Sequence, residues 1–183
     1  NPLSGFCYHD TLSKTATRAY RMRLIIAEKP SLARAIADAL PGGGKRQEGA
    51  IVCGDTTVTW CLGHLLEQAP PEAYNPADKQ WRLDRLPIVP GTWQLAPRSK
   101  AHGQLAVIRK LIKQATSVVH AGDPDREGQL LVQEVIEHLK YRGPVQRLLI
   151  SDLNRPAVSR ALASLRPNTE FQPLFQAAQA RSR

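Results

Sequence analysis

Short apolar runs alternate along this chain with stretches whose apolar residues recur at helical spacing, and few architectures accept that pattern. "RLIIA" (23–27) reads as a strand. "PSLARAIADAL" (30–40) reads as a helix, with Leu32, Ile36 and Leu40 on one face and Pro30 tolerated in its first turn. "PGGGK" (41–45) ends it, and "AIVCGDTTVTWC" (50–61) reads as a hairpin around Gly54-Asp55. Residues 67–100, rich in proline and tryptophan, read as a long irregular excursion. The alternation then resumes: a basic amphipathic helix (104–115), a strand "SVVHA" (117–121), a helix (127–140), a strand "VQRLLI" (145–150) and a helix (154–165) with Asn154 as its cap. Strands alternating with helices predict an α/β fold with a mostly parallel sheet flanked by helices.

The ends read differently. Residues 1–21 are polar and aperiodic, and Met22, the only methionine, stands directly before the first strand. A leader or extension, without order, is expected there. "FQPLFQAAQARSR" at the other end reads as a helix cut while still running, so the chain is expected to be a fragment.

At 183 residues the chain has room for one core and the start of a second unit. Its net charge of +9 favours anionic partners, nucleic acid first among them. No apolar run approaches a membrane span, and no secretory signal pattern opens the chain, so a cytoplasmic protein without a membrane partner is expected. Cys7, Cys53 and Cys61 form no C-x-x-C, and reduced thiols are the simplest account. A disulfide between Cys53 and Cys61 across the hairpin stays open.

The chemistry concentrates in "HAGDPDREGQ", residues 120–129. In open α/β sheets ligands lie beyond the carboxyl ends of the strands. "RLIIA" runs into Glu28, and "SVVHA" runs into Asp123 and Asp125. If these strands are neighbours, three carboxylates converge. Residues two apart in extended chain point to one side, so Asp123 and Asp125 are expected to face one site. Pro124 fixes φ, Gly122 and Gly128 let the backbone bend, and Glu127 enters the first turn of the next helix. Like charges this close repel, and Mg²⁺, which takes oxygen ligands, removes that cost. Lys29 and Arg126 suit a phosphodiester. The competing reading is a helix-capping cluster with solvated ion pairs. "PGGGK" is no Walker loop, and His9, His64, His102, His120 and His138 show no paired zinc spacing. His120 reads as buried or capping, and His64 reads either as a residue able to reach the site or as a packing residue. Arg109, Lys110 and Lys113 read as a solvated face, and Trp60, Trp81 and Trp93 as packing residues.

"IIAEKPSLARAIADAL" with "HAGDPDREGQLL" resembles the Toprim domain of type IA DNA topoisomerases, and "VTWCLGHLLEQAPPEAYNP" with "LPIVPGTWQL" is similar to the bacterial topoisomerase III group. The resemblance runs from Met22 to the C-terminal end. It implies residues 22–150 as the Toprim domain and 151–183 as the truncated start of the core domain. It also implies ATP-independent cleavage of one strand by a tyrosine, strand passage and religation. Glu28 would be a metal ligand and proton relay, Lys29 would stabilise charge on the phosphate, and Asp123 and Asp125 would hold Mg²⁺. Glu127 would be a weaker ligand, and Arg126 and Lys29 would contact DNA in single-stranded segments. Tyr8, Tyr20, Tyr74 and Tyr141 match no nucleophile motif. The chain is therefore expected to depend on the remainder of its polypeptide for activity, in the bacterial cytoplasm with the nucleoid or a plasmid. Two other readings compete: a stand-alone Toprim nuclease using metal-activated water, and a non-catalytic nucleic-acid-binding module.

Overall fold

The first strand, β1 (Met22–Ala27), is apolar on both faces, because both are covered: Leu24 and Ile26 face one helical layer, Ile25 and Ala27 the other. The computed structural model describes residues 22–80 and 82–182. The expected leader and Trp81 lie outside them. Helix α1 (Pro30–Ala39) starts on proline and buries Leu32, Ala33, Ile36 and Ala37. Gly42 and Gly43, both at positive φ, turn the chain into β2 (Lys45–Gln47), an exposed edge strand absent from the sequence reading. The hairpin forms as expected from β3 (Ala50–Cys53) and β4 (Thr56–Trp60).

The excursion is closed at its base by a two-stranded antiparallel ribbon, β5 (Leu66–Gln68) with β6 (Leu95–Pro97). Between them run short 3-10 turns, with Asp78 buried against Arg85 and the Tyr74 hydroxyl accepting from the Gln94 amide. Then come α2 (His102–Ile112), β7 (Ala115–Ala121), α3 (Arg126–His138), β8 (Val145–Arg147), α4 (Arg155–Leu162), β9 (Arg166–Pro167) and α5 (Gln172–Ser182). Helix α2 ends earlier than its periodicity suggests, because Ala115 already pairs with Met22. Arg109, Lys110 and Lys113 are exposed, and Trp60 packs partly buried against the α1 side of the core.

The main sheet has the order β2-β3-β4-β1-β7-β8-β9, parallel through β4-β1-β7-β8 and antiparallel toward both edges. Helices α2 and α3 cover one face, α1 and α4 the other, and α5 packs on α3 through Leu130, Phe175 and Ala178. The strand expected over 145–150 stops at Arg147, where the side chain takes over carbonyls at the end of β7. Cys53 and Cys61 are both free and buried in separate clusters on opposite faces of the sheet, so no disulfide joins them. Burial pushes both thiols up, Cys61 furthest. Among the described residues no helix is long and apolar enough to cross a membrane.

Candidate functional site: an acidic sheet edge

Strands β1 and β7 are parallel neighbours in register Ala27 to Ala121, so Glu28 and Gly122 leave the sheet side by side. β1 leads into α1 on one face and β7 into α3 on the other, which opens a crevice between their carboxyl ends. Glu28 Oε2 accepts the backbone N–H of Asp123 at 2.8 Å, across 95 positions of sequence. Lys29 sits at the N-cap of α1 without capping it; its ammonium reaches Asp123 Oδ2 at 2.7 Å instead. A cation at a helix N-terminus is disfavoured by the dipole, and the Asp123 carboxylate offsets that. The hydrogen bond to Asp123 leads the causes that raise the Lys29 pKa, with Glu28 and Asp125 adding to it.

Asp125 is extended, with φ −129° and ψ −178°. It is the N-cap of α3, its Oδ1 accepting from the Gly128 amide at 2.7 Å, so the capping reading holds for this residue. Glu127 is exposed on the first turn of α3, and His64 Nε2 lies 3.4 Å from its Oε2. Arg126 is exposed as the first residue of α3. An open groove of about 520 Å³ is lined by His64, Asp125, Arg126, Glu127 and Arg181, among others.

The glycines work by proximity, not by positive φ. A Cβ on Gly128 would lie 2.4 Å from Asp123 N and 2.7 Å from Glu28 Oε2; one on Gly122 would lie 2.1 Å from Gly128 O. Only bare backbone lets the start of α3 come this close to the exit of β7.

Beneath the turn lie two fully buried side chains. His120 Nδ1 accepts the Gly122 amide at 3.3 Å, so Nε2 carries the proton and donates to Gln129 O at 3.1 Å. Burial and the Arg147 charge lower its pKa to about 3, leaving a neutral ring. Arg147 is fully buried and donates to Gln129 Oε1, to its neighbour's carbonyl on Leu148, and to the carbonyls of His120, Gly122 and Asp123. Burial lowers its pKa to about 10 while Asp123, Glu28 and Asp125 hold it up, so it stays a cation at neutral pH. The sequence reading missed Arg147. Its signal was an arginine inside the apolar run "VQRLLI".

Each acid is thus held by a protein donor: Glu28 by an amide, Asp123 by Lys29, Asp125 by an amide, with Glu127 beside His64. Among the described residues no three His, Cys, Asp or Glu side chains are gathered closely enough to hold a metal ion. The donors themselves are carboxylate oxygens at one sheet edge, a set suited to a hard divalent cation. Of the described tyrosines, Tyr74 is tied into the ribbon loop. Tyr141 follows the far end of α3, about 20 Å along that helix from the acidic turn.

A family model described as "Toprim domain" matches residues 23–158. The chain is 60% identical over 166 residues to the DNA topoisomerase 3 of Vibrio cholerae, covering 88% of this chain and 26% of that protein. It is 58% identical over 167 residues to the DNA topoisomerase 3 of Haemophilus influenzae, again covering 88% and 26%. With the DNA topoisomerase 3 of Staphylococcus haemolyticus the identity is 40% over 161 residues, covering 87% and 22%. The chain thus spans about a quarter of the length of the curated relatives it matches. The fold is similar to that of full-length topoisomerase I from Thermotoga maritima, with a TM-score of 0.52, 16% identity, and coverage of 79% of this chain and 21% of that one.

Proposed function

The chain belongs to the Toprim domain family, and from that premise we propose that it is the Mg²⁺- and DNA-handling part of a type IA DNA topoisomerase of the topoisomerase III kind. One observation carries the reading. Glu28 and Asp123, 95 positions apart, meet at 2.8 Å at the carboxyl ends of adjacent parallel strands. The identity to bacterial DNA topoisomerase 3 proteins supports the choice of enzyme. In this reading residues 22–150 are the Toprim domain and 151–183 begin the core domain that follows it.

The reaction is a reversible transesterification. A tyrosine oxygen from another part of the longer protein bonds to phosphorus, and the bond from phosphorus to the 3′ oxygen breaks. The tyrosine hydroxyl gives up its proton as it attacks, and the departing oxygen takes one up, so no proton is gained or lost overall. Religation runs the same steps backward, without ATP. Glu28 relays the proton at the 3′ oxygen. Lys29, whose ammonium already lies at the turn, offsets charge on the phosphate. Arg126 and Lys29 hold the strand's backbone. Glu28, Asp123, Asp125 and Glu127 would hold Mg²⁺, which when bound supplies charge neutralisation at a phosphate oxygen. The longer protein works on single-stranded segments of DNA in the bacterial cytoplasm, at the nucleoid or a plasmid.

The test is incubation of this chain with single-stranded DNA and Mg²⁺, separating covalent protein–DNA adducts from free ends. Cation and DNA binding without cleavage are expected. Free 5′-phosphate ends that vanish in Asp123→Asn would overturn the proposal in favour of a self-sufficient nuclease.

A further inference from the structure

We propose that Arg147 is the positioning residue of the acidic edge, placing Glu28 and Asp123 through the two peptide units that flank Asp123.

The geometry runs through one planar amide. The Gly122 carbonyl and the Asp123 N–H belong to the same trans peptide and point in opposite directions. Arg147 Nη1 holds the carbonyl at 2.8 Å, and Glu28 Oε2 receives the N–H at 2.8 Å. The peptide is clamped between a guanidinium and a carboxylate, so fixing one side aims the other. The next peptide is held as well: Arg147 Nη2 donates to Asp123 O at 2.7 Å, and its nitrogen is that of Pro124, which carries no hydrogen. Both peptide planes around Asp123 are therefore set by one side chain, which fixes the direction in which its carboxylate leaves the backbone.

Arg147 suits this task because it has nowhere else to go. Its side chain is fully buried, and among the described residues its hydrogen bonds go to Gln129 and to backbone carbonyls. Burying a guanidinium is costly unless its donors are matched. Here they are matched by Gln129 and by carbonyls at the end of β7, which makes the turn part of the solvation of the charge. A lysine at this position has no planar fork and cannot hold two successive peptides in the same way. The anchor extends outward. The Gln129 amide also donates to Asn168, and the Phe171 ring centre lies 5.6 Å from the guanidinium carbon.

The inference rests on the reading of these acids as a cation site only where affinity is concerned; the hold on the turn stands without it. The experiment compares the 183-residue chain with its Arg147→Lys and Asp123→Asn variants. Residue-resolved amide exchange and Mn²⁺ titration are recorded well below melting. In Arg147→Lys the Asp123 and Gly128 amides should exchange at least about tenfold faster while β3 and β4 do not change, and Mn²⁺ affinity should fall by roughly the same factor. Asp123→Asn should lose Mn²⁺ affinity with Arg147 in place. Exchange in Arg147→Lys that is unchanged at Asp123, or raised evenly over the whole sheet, overturns the inference. A wild-type chain that binds no Mn²⁺ defeats the cation reading instead, and exchange then decides the role of Arg147 alone. If Arg147→Lys does not fold, nitrogen NMR of the wild type decides. Separate, slowly exchanging Nη resonances that shift in Asp123→Asn are expected, and one averaged signal overturns the inference.

Discussion

The Lys29 ammonium lies 2.7 Å from Asp123 Oδ2, which joins the start of α1 to the acidic turn across 94 positions of sequence. Lysine therefore occupies one of the oxygens that a divalent cation would use. Lys29→Met should tighten Mn²⁺ binding by this chain by about fivefold, the factor expected for removing one partly screened charge worth about 1 kcal/mol. The gain should shrink as salt is raised. Isothermal titration at two ionic strengths checks both statements, and weaker binding in the variant would count against the cation reading.

Asp125 has two roles that substitution separates. Asparagine caps a helix about as well as aspartate, whereas alanine does not. Asp125→Asn should keep the stability of the chain, and Asp125→Ala should lose about 1 kcal/mol by urea denaturation. Both should weaken Mn²⁺ binding. Equal affinity in Asp125→Asn and wild type would confine Asp125 to capping.

Gly128→Ala places a methyl carbon 2.4 Å from Asp123 N and 2.7 Å from Glu28 Oε2. The start of α3 must shift, at a cost of about 1–3 kcal/mol. The hydrogen bond between Glu28 and Asp123 should break with it, read as faster exchange of the Asp123 amide. A Gly103→Ala control meets none of the described residues within 4 Å and should be neutral or mildly stabilising.

His120 is buried and neutral, its pKa lowered from 6.5 to about 3 by burial and by Arg147. Between those values the unfolded chain binds the proton and the folded chain does not. Stability from this group is complete above the unfolded value and is lost as pH falls through it, by at most about 1.4 kcal/mol per pH unit. His120→Phe forfeits two hydrogen bonds and should be less stable at pH 7. The gap to wild type should narrow between pH 6 and pH 4. A constant gap would refute the neutral assignment.

Cys53 and Cys61 should stay silent toward an aromatic disulfide reagent in the native chain carrying Cys7→Ser, and both should react in guanidinium. Burial and raised pKa leave little thiolate at neutral pH. Prompt reaction of either thiol in the native chain would contradict the separate burial of the two.

The layered fold was readable because its periodicities are local. "RLIIA" and "SVVHA" are short and apolar on both faces, and the helices between them carry clear stripes, so each segment reported its own burial. Strand β8 was overextended because the apolar "LLI" that follows Arg147 looks like more of the same strand, whereas the pairing with β7 runs only from Val145 to Arg147. Edge strand β2 was missed because an exposed "KRQ" carries no hydrophobic signal and forms by pairing with β3.

The same division holds at the acidic edge. Residue types and short spacings are properties of the chain, so the sequence alone named Glu28, Lys29, Asp123, Asp125, Arg126 and Glu127, along with the α/β class. Which donor each acid takes depends on elements distant in sequence. The turn of Asp125 back onto α3, the reach of Lys29 to Asp123 and the clamp of Arg147 on the peptides around Asp123 all required β1, β7 and β8 to lie side by side. Hydrogen bonds act over about 3 Å, and only tertiary packing brings such partners to that distance.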